Sequence, residues 1–323
     1  ITIPNSVKSI GERAFEGCNS LTNMTIPNSV KMIGDYAFIG CSSMTAITIP
    51  DSVTIIGEGA FYRCSSLASI AIPNSVITIG NGSFSTCSSL TSITIPDSVT
   101  SIGKGAFAGC ERLTSIVVAE GNTMYDSRQN CHAIIQTGTD ALICGCQSTT
   151  IPNGVKSIDK WAFLECKMLT SIIIPDSVTA IGNRAFEKCT SLTTITIPSS
   201  VTSIGHNAFY RCSSLTAIAI PNSVITVKDS AFYGCESLTS IIIGNRVTSI
   251  EDYAFDGCKK LTSITLPDSV TSVGECAFYN CESLTAITYQ GTIAQWEEIF
   301  LQDDWNNAVP AKVVHCTDGD VEI

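Results

Sequence analysis

The sequence predicts a solenoid, in which short coils of similar sequence stack along one axis. Each unit of the chain is too short to bury its own apolar side chains, so stacked neighbours must complete the core. The unit length follows from a phenylalanine that recurs every 23 residues, with one gap of 56. The eleven phenylalanines are Phe15, Phe38, Phe61, Phe84, Phe107, Phe163, Phe186, Phe209, Phe232, Phe255 and Phe278.

Each unit begins with a strand pattern, shown most clearly by Leu90, Ile93 and Ile95. These residues alternate with Ser and Thr, as expected for a short strand with one buried face. A Leu-x-x-Ile-x-Ile pattern with a period of about 20 to 29 residues is typical of a leucine-rich repeat. We therefore predict an α/β solenoid of this type, a right-handed superhelix of 23-residue coils with a parallel β-sheet.

The rest of the unit continues the coil. Pro96 lacks an N–H group and ends the strand. The Ser98 hydroxyl is expected to bond backbone groups at the bend, before a second extended segment at 99–102. Gly103 is expected to turn the chain, and Phe107 to lie on a single helical or 3-10 turn.

The repeats are interrupted once and stop before the end of the sequence. We predict one elongated domain over residues 1–323, capped at its C-terminus. Its parts are five repeats in 1–116, a β-hairpin insert in 117–149, six repeats in 150–289 and a helix-plus-hairpin cap in 290–323. Because Ile1 stands in the middle of a repeat, the sequence also indicates a truncated N-terminus and missing upstream segments, including any export signal.

The insert holds two apolar runs joined by a glycine-containing turn. If Gly138 and Thr139 form that turn, Cys131 lies opposite Cys146, so this pair is a candidate disulfide whose formation depends on geometry. A zinc site at Cys131, His132, Cys144 and Cys146 is a weaker alternative. Structural zinc sites separate paired cysteines by about two to four residues, and a single residue separates Cys144 from Cys146. We predict no metal and no cofactor.

The cap is predicted from a change of pattern after Tyr289. Thr292 and Gln295 have capping-box spacing, and a helix would place the apolar residues that follow on one face. With Trp305, this helix is expected to cover the last coil. The apolar residues are Ile293, Trp296, Ile299 and Phe300.

The last segment of the cap contains two short runs with strand character. A hairpin is predicted there, with Asp318 and Gly319 as its two-residue turn.

Composition excludes several classes of partner. The chain has 18 Lys and Arg against 29 Asp and Glu, a formal net charge of -11, which opposes binding to phosphate backbones. No apolar run approaches the length of about 18 residues that a membrane helix needs. We therefore predict neither nucleic-acid binding nor membrane insertion within this chain.

Eleven of the sixteen cysteines share one repeat position, three residues after the phenylalanine. Cysteine is small and readily buried, so these residues are expected to pack in the core as free thiols. The three histidines, His132, His206 and His315, lie in the insert, a repeat and the tail. Catalysis by a nucleophile, a histidine and an acid requires the three to converge, so we predict no enzymatic activity and no catalytic residues.

The outward strand positions form two columns without a charged residue. Their polar members are a candidate protein-binding face, here called the strip, although the β-propensity of threonine is an equal alternative explanation. The strip consists of Asn23, Thr25, Thr48, Ser69, Ser92, Thr94, Ser115, Ser171, Thr194, Thr196, Ser240, Ser263, Thr265 and Thr288. Exposed residues beside the phenylalanine are alternative anchors: Tyr62, Arg63, Tyr210, Arg211, Tyr233 and Tyr279.

The full pattern, Leu-x-x-Ile-x-Ile-Pro-Asx-Ser-Val-x-x-Ile-Gly-x-x-Ala-Phe-x-x-Cys, resembles the BspA-like leucine-rich repeat family of bacterial and protozoan surface proteins. The resemblance covers about residues 1–289. It implies an exported or surface-displayed protein, some of whose relatives are adhesins for host matrix proteins such as fibronectin or fibrinogen. No binding residue carries over, because the matching positions are those of the scaffold.

These observations favour a monomeric, non-enzymatic module at the cell surface or outside the cell. Its expected partner is a protein, with a host extracellular matrix protein as the leading candidate. The first alternative is a structural stalk that presents another domain. A more distant alternative is a metal site or a hydrolase site in the insert.

Overall fold

A computed structural model describes residues 2–323, and the contacts within the chain cluster into two units. Unit 1 comprises Ile1–Pro152 and Trp161–Met168, and unit 2 comprises Asn153–Lys160 and Leu169–Ile323. The single domain expected over residues 1–323 stays a prediction, and each unit is considered by itself.

The Leu-x-x-Ile-x-Ile segment forms the front strand of most coils, and each front strand pairs in parallel with a neighbour. Residues 23 apart are partners in these ladders, as Ser92 with Ser115 in unit 1 and Ser171 with Thr194 in unit 2. In unit 1 the front strands are Asn23–Thr25, Ala46–Thr48, Ser92–Ile95 and Ser115–Val118. In unit 2 they are Ser171–Ile173, Thr194–Thr196, Ala217–Ala219, Ser240–Ile242, Ser263–Leu266 and Ala286–Tyr289.

A shorter second strand follows in each coil, again in parallel ladders with a 23-residue register. In unit 1 these strands are Ser9–Ile10, Met32–Ile33, Ile55–Ile56, Thr78–Ile79 and Ser101–Ile102. In unit 2 they are Ser157–Ile158, Ala180–Ile181, Ser203–Ile204, Thr226–Val227, Ser249–Ile250 and Ser272–Val273. The strand Phe300–Leu301 of the cap pairs in parallel with the last of these at a register of 28 residues. The predicted leucine-rich-repeat solenoid of 23-residue coils is confirmed.

The phenylalanines stack in both units. Ring centroids of successive residues from Phe15 to Phe107 lie 5.1 to 5.4 Å apart, with planes within 8° of parallel. From Phe186 to Phe278 the spacing is 5.3 to 5.5 Å. The aromatic rings therefore form one column of the core in each unit.

Polar side chains also repeat in register and join adjacent coils. The thiol of Cys64 donates to the carbonyl of Phe38 at 3.1 Å, and the thiol of Cys235 donates to the carbonyl of Phe209 at 3.3 Å. The Ser98 hydroxyl donates to the carbonyl of Val76 at 2.8 Å, so the predicted role of this serine at the bend is confirmed. The carbonyls of Phe38 and Phe209 also accept the backbone N–H of Cys41 and Cys212, so each thiol adds a second hydrogen bond that links one coil to the next.

The segment around Phe107 differs from the predicted helical turn. Ala106 N donates to Gly103 O, and Cys110 N donates to Phe107 O, so the chain forms successive tight turns. A right-handed helix cannot continue through Gly105, whose φ is +62°. The segment instead bonds to the neighbouring coil, where Ala106 O accepts from Phe84 N at 2.8 Å.

Gly103 is required for a reason other than the expected turn. A Cβ atom at this position would lie 2.2 Å from the backbone nitrogen of Asn81 in the adjacent coil. The glycine therefore permits close approach of two backbones, which no other residue allows without displacement.

The insert contains the predicted antiparallel hairpin, Ile134–Gln136 paired with Ala141–Cys144, preceded by the strand Tyr125–Asp126 and the 3-10 helix Arg128–Asn130. Two polar groups hold the insert. The Arg128 guanidinium pairs with Asp126 at 2.7 Å and with Asp140 at 2.9 Å. The buried amide of Asn122 donates to the carbonyls of Pro96 and Val99.

The cap contains the one α-helix found within residues 2–323, Ile293–Glu297, with the predicted capping box of Thr292 and Gln295. Trp296 and Ile299 are buried, and the Trp305 ring meets Phe278 edge-on at 6.2 Å. The prediction for Phe300 was wrong. Its strand pairs with Ser272–Val273, and its side chain points outward with 65% exposed.

The terminal hairpin pairs Val313–Cys316 with Gly319–Glu322. Its turn residues are therefore Thr317 and Asp318, one position earlier than predicted. The helix start explains the shift, because Asp318 accepts a hydrogen bond from Ile293 N at 2.8 Å.

Candidate functional site

The strip lies on the outward face of the front strands and the segments that align with them. In each ladder the isoleucines on either side point into the core, because successive side chains of a strand alternate between faces. Ile93 and Ile95 are 2% and 0% exposed, whereas Ser92 and Thr94 between them are exposed. Twelve of the fourteen strip residues are exposed, and Ser115 and Thr288 are half-buried. The role of these residues in binding stays a prediction.

Exposed isoleucines interrupt the polar strip in unit 2, and they were not among the predicted site residues. Ile173 is 83% exposed and Ile242 is 65% exposed, at the column position that threonine occupies elsewhere. In unit 1 the same column holds Val117, which is 45% exposed. The sequence carried this signal, since an apolar residue at an outward position buries nothing within its own coil.

Five of the six alternative anchors beside the phenylalanine have side-chain partners within their own units, and the four tyrosines among the six are half-buried rather than exposed. The Arg63 guanidinium lies over the Tyr62 ring at 5.1 Å in unit 1. In unit 2, Tyr210 and Tyr233 stack at 4.8 Å, and Arg211 covers Tyr210. A partner that used the Tyr62 or Tyr210 ring would compete with its cation–π contact, worth about 0.5 to 1 kcal/mol at exposed sites.

The repeat cysteines are packed as predicted. Nine of the eleven are buried, while Cys18 and Cys166 are half-buried, and all are free thiols. Burial raises the pKa of Cys64 and of Cys110 to about 12, because a thiolate in the core would lose its hydration. At neutral pH these thiols are protonated and therefore weak nucleophiles.

The cysteines of the insert are also buried thiols in the structure. The Cys131 thiol donates to Ala133 O and the Cys146 thiol to His132 O, and no bond joins the two sulfur atoms. Gln136 pairs with Ala141, as the predicted turn requires, but a bulge between Ile134 and Ile135 then shifts the register. The disulfide between Cys131 and Cys146 stays a prediction.

The structure brings one group of three potential metal ligands together within residues 2–323. The ligand atoms of His206, Asp229 and Glu251 lie within 4.8 Å of one another, and the cysteines and histidine of the insert form no such group. Lys228 occupies one oxygen of Glu251 at 2.8 Å, and burial, followed by the Glu251 hydrogen bond, raises the pKa of Asp229. All three side chains are half-buried.

No helix within residues 2–323 has both the length and the apolar character needed to cross a bilayer.

Comparison with known proteins adds to this geometry. A profile of the BspA type leucine rich repeat region matches six copies, over residues 1–114, 142–245 and 226–306. No curated protein matches the sequence significantly.

Several solved structures are similar to this chain. One is a leucine rich cell surface protein from Faecalibacterium prausnitzii A2-165, with 35% identity and a TM-score of 0.69 over 93% of this chain and 81% of the other. A leucine-rich repeat protein from Bacteroides ovatus has 30% identity and a TM-score of 0.60, covering 97% of this chain and 88% of its own. The pneumococcal vaccine antigen PcpA, at 18% identity and a TM-score of 0.66, shares the fold, over 99% of this chain and 79% of that chain.

Proposed function

Because this chain belongs to the BspA-type leucine-rich repeat family, we propose that it is a non-enzymatic module, displayed at the cell surface or secreted, that binds a protein. Adhesion to a host extracellular matrix protein is the proposed role. Repeat proteins of this family are generally scaffolds without catalytic residues, and the similar protein from Faecalibacterium prausnitzii is a cell surface protein. We propose the same location for this chain.

The observation that carries the proposal is the uncharged strip with its exposed isoleucines. Ile173 and Ile242 each stand among small hydroxyl and methyl side chains of the neighbouring front strands, at Thr196 and Ala219. Covering one such side chain contributes about 1.5 to 3 kcal/mol to binding. An exposed apolar side chain in a polar surround is a feature of protein interaction sites.

The absence of charge within the strip supports a protein partner further. A partner covering the strip would have no ammonium or carboxylate of these columns to dehydrate. Hydroxyl groups of Ser and Thr both donate and accept, so they pair with the backbone of many partners. The strip therefore favours a flat, neutral protein surface over a polyanion.

Binding to immobilised fibronectin and fibrinogen, measured by surface plasmon resonance, tests the proposal. Saturable binding in the micromolar range or tighter is expected. The double variant Ile173→Ser, Ile242→Ser should weaken it by about tenfold or more, since about 1.4 kcal/mol corresponds to a factor of ten.

A matched control separates the strip from general loss of apolar surface. Ile77 and Ile225 are exposed to 48% and 41% but lie outside the strip. The variant Ile77→Ser, Ile225→Ser should bind like the unmodified chain. Equal losses in both double variants would reject the strip, and no saturable binding to any matrix protein would favour the structural stalk.

A further inference from the structure

A groove of about 310 Å³ lies along unit 1, away from the strip, and shares no residue with it. Its floor is formed by Gly59, Gly82 and Gly105, which stand 23 residues apart in three successive coils. All three have a φ between +55° and +62°, so they occupy one equivalent left-handed position of the repeat. Three missing side chains in one column open the groove.

Aromatic residues stand at the two ends of this glycine floor. Tyr36 and Trp161 occupy the same left-handed position in the coils that flank it, with φ of 54° and 67°. The Tyr36 ring covers Gly59, where an added Cβ would lie 2.4 Å from its Cε1 atom. Trp161 approaches from the other end, with its Cε3 atom 3.5 Å from a Cβ at Gly105.

The space between the two aromatic side chains lies over Gly82. A Cβ atom there would meet only the Ser85 side chain, at 3.8 Å. Two coil steps separate Gly59 from Gly105, roughly 10 Å at the spacing of adjacent strands. A spacing of this size leaves room for one ring-shaped group over Gly82.

One wall of the groove is a column of three polar side chains, Glu58, Asn81 and Lys104. Hydrogen bonds hold them in place. Glu58 accepts from the Tyr36 hydroxyl, which raises the pKa of Tyr36, and the Asn81 side chain accepts from Lys104 N at 2.9 Å. The other wall adds the side chains of Tyr62 and Ser85, followed by Ala108 and Leu164.

The wall carries one charge of each sign. The Glu58 carboxylate and the Lys104 ammonium stand two coils apart, so the wall offers neither an anion nor a cation a net attraction. A purely apolar ligand would remove these polar groups from water without offering them new hydrogen bonds, at a cost of about 1 to 3 kcal/mol for each. A neutral ligand with hydrogen-bonding groups along its edge and an apolar face fits both the wall and the aromatic rings.

We propose that this groove is a binding site for a neutral saccharide, whose ring lies over Gly82 between Tyr36 and Trp161. The C–H face of a sugar ring packs against aromatic side chains, and its hydroxyl groups both donate and accept. The hydroxyls therefore pair with Glu58, Asn81 and Lys104 together. The site is concave, largely apolar and fitted with a few fixed polar groups, as small-ligand sites are.

Saturation-transfer NMR and calorimetric titration of the full chain with lactose, maltotriose, cellotriose and chitobiose test the proposal, with sialyllactose as an anionic comparison. At least one neutral saccharide should bind saturably at concentrations up to about 10 mM. The variant Trp161→Ala should weaken this binding at least tenfold.

A second variant fills the slot without disturbing the fold. Asn207 holds the equivalent position in unit 2 at a φ of 57°, so Gly82→Asn is compatible with the backbone. It should also weaken binding at least tenfold. Tyr253→Ala changes an aromatic residue of the same column in unit 2 and should leave binding unchanged.

Three results would overturn the site: no saturable binding of any neutral saccharide, binding of sialyllactose alone, or unchanged binding in both groove variants. These outcomes are independent of the strip. Loss of matrix-protein binding would leave the saccharide site intact, and the reverse also holds.

Discussion

The left-handed column differs between the two units in side chains but not in backbone. In unit 1 its members are Arg13, Tyr36, Gly59, Gly82, Gly105 and Trp161, and in unit 2 they are Arg184, Asn207, Ser230, Tyr253 and Cys276. Every φ lies between 51° and 67°. Unit 1 leaves three neighbouring positions without a side chain, whereas unit 2 fills each of its five.

The fold constrains some columns of side chains and leaves others free to vary. The core columns are fixed, since within each column the Phe rings stack on one another, and buried repeat cysteines such as Cys64 and Cys235 donate to Phe carbonyls. The left-handed column makes no such demand, because Arg, Tyr, Trp, Asn, Ser and Cys all adopt the same φ. Such columns can vary without altering the scaffold, so they are the positions available for function.

Removing one core phenylalanine ring should destabilise either unit by the same amount, and this is the largest expected effect. Phe61 in unit 1 and Phe209 in unit 2 are both fully buried between neighbouring rings. Phe61→Ala and Phe209→Ala should each lower the free energy of unfolding by about 4 kcal/mol. Urea denaturation followed by circular dichroism measures both. A difference above about 1 kcal/mol between them would contradict the equivalence of the two cores.

The glycine at the repeat position of Gly103 should affect the free energy of unfolding only where the backbone of a neighbouring coil lies close to it. Gly103→Ala should cost about 3 kcal/mol, because its Cβ would meet Asn81 N at 2.2 Å. Gly11 holds the same repeat position, but a Cβ there would meet nothing within 4 Å. Gly11→Ala should therefore change the free energy of unfolding by less than about 1 kcal/mol. Equal losses, measured in the same denaturation assay, would show that the column is needed for another reason.

Periodicity explains how much of the fold the sequence predicts. The 23-residue spacing of phenylalanine determines the register of the ladders, and the alternation at Ile93 and Ile95 determines which face is buried. The turns were less predictable, because they depend on backbone φ values. Tyr36 and Trp161 conceal the left-handed position that Gly82 alone would suggest, since non-glycine residues rarely adopt it.

Periodicity also predicts part of the candidate site. Period two placed twelve strip residues outward, and it also placed Ile173 and Ile242 there, although only polar residues were selected as binding candidates. The groove could not be predicted from spacing. It requires Tyr36 to lean over Gly59 and Trp161 to approach Gly105, and these contacts depend on side-chain direction in three dimensions.

The column three residues after the left-handed position gives the smallest expected effect. Substitutions in this column are expected to change the free energy of unfolding in opposite directions in the two units. In unit 1 this column forms the groove wall with Tyr62 and Ser85, whereas in unit 2 it places Asp256 in the interior with 6% exposed. Burial raises the pKa of Asp256 from 3.8 to about 6, although a hydrogen bond from Asn280 opposes the shift.

A carboxyl group whose pKa is higher in the folded state stabilises the fold while it is protonated. This contribution is present below pH 3.8 and is lost as the pH rises through about 6. Asp256→Asn, which remains neutral, should therefore raise the free energy of unfolding at pH 7 by about 1 to 3 kcal/mol. The gain should vanish at a pH below 3.8.

Glu16→Gln is the matched control, because Glu16 occupies the same column in unit 1 and is exposed. Its carboxylate pairs with Arg13 at 3.1 Å, so this variant should lose up to about 1 kcal/mol at pH 7. The two variants thus shift stability in opposite directions at one column position. A pH-independent gain in Asp256→Asn would assign the effect to packing and would contradict the buried charge as its cause.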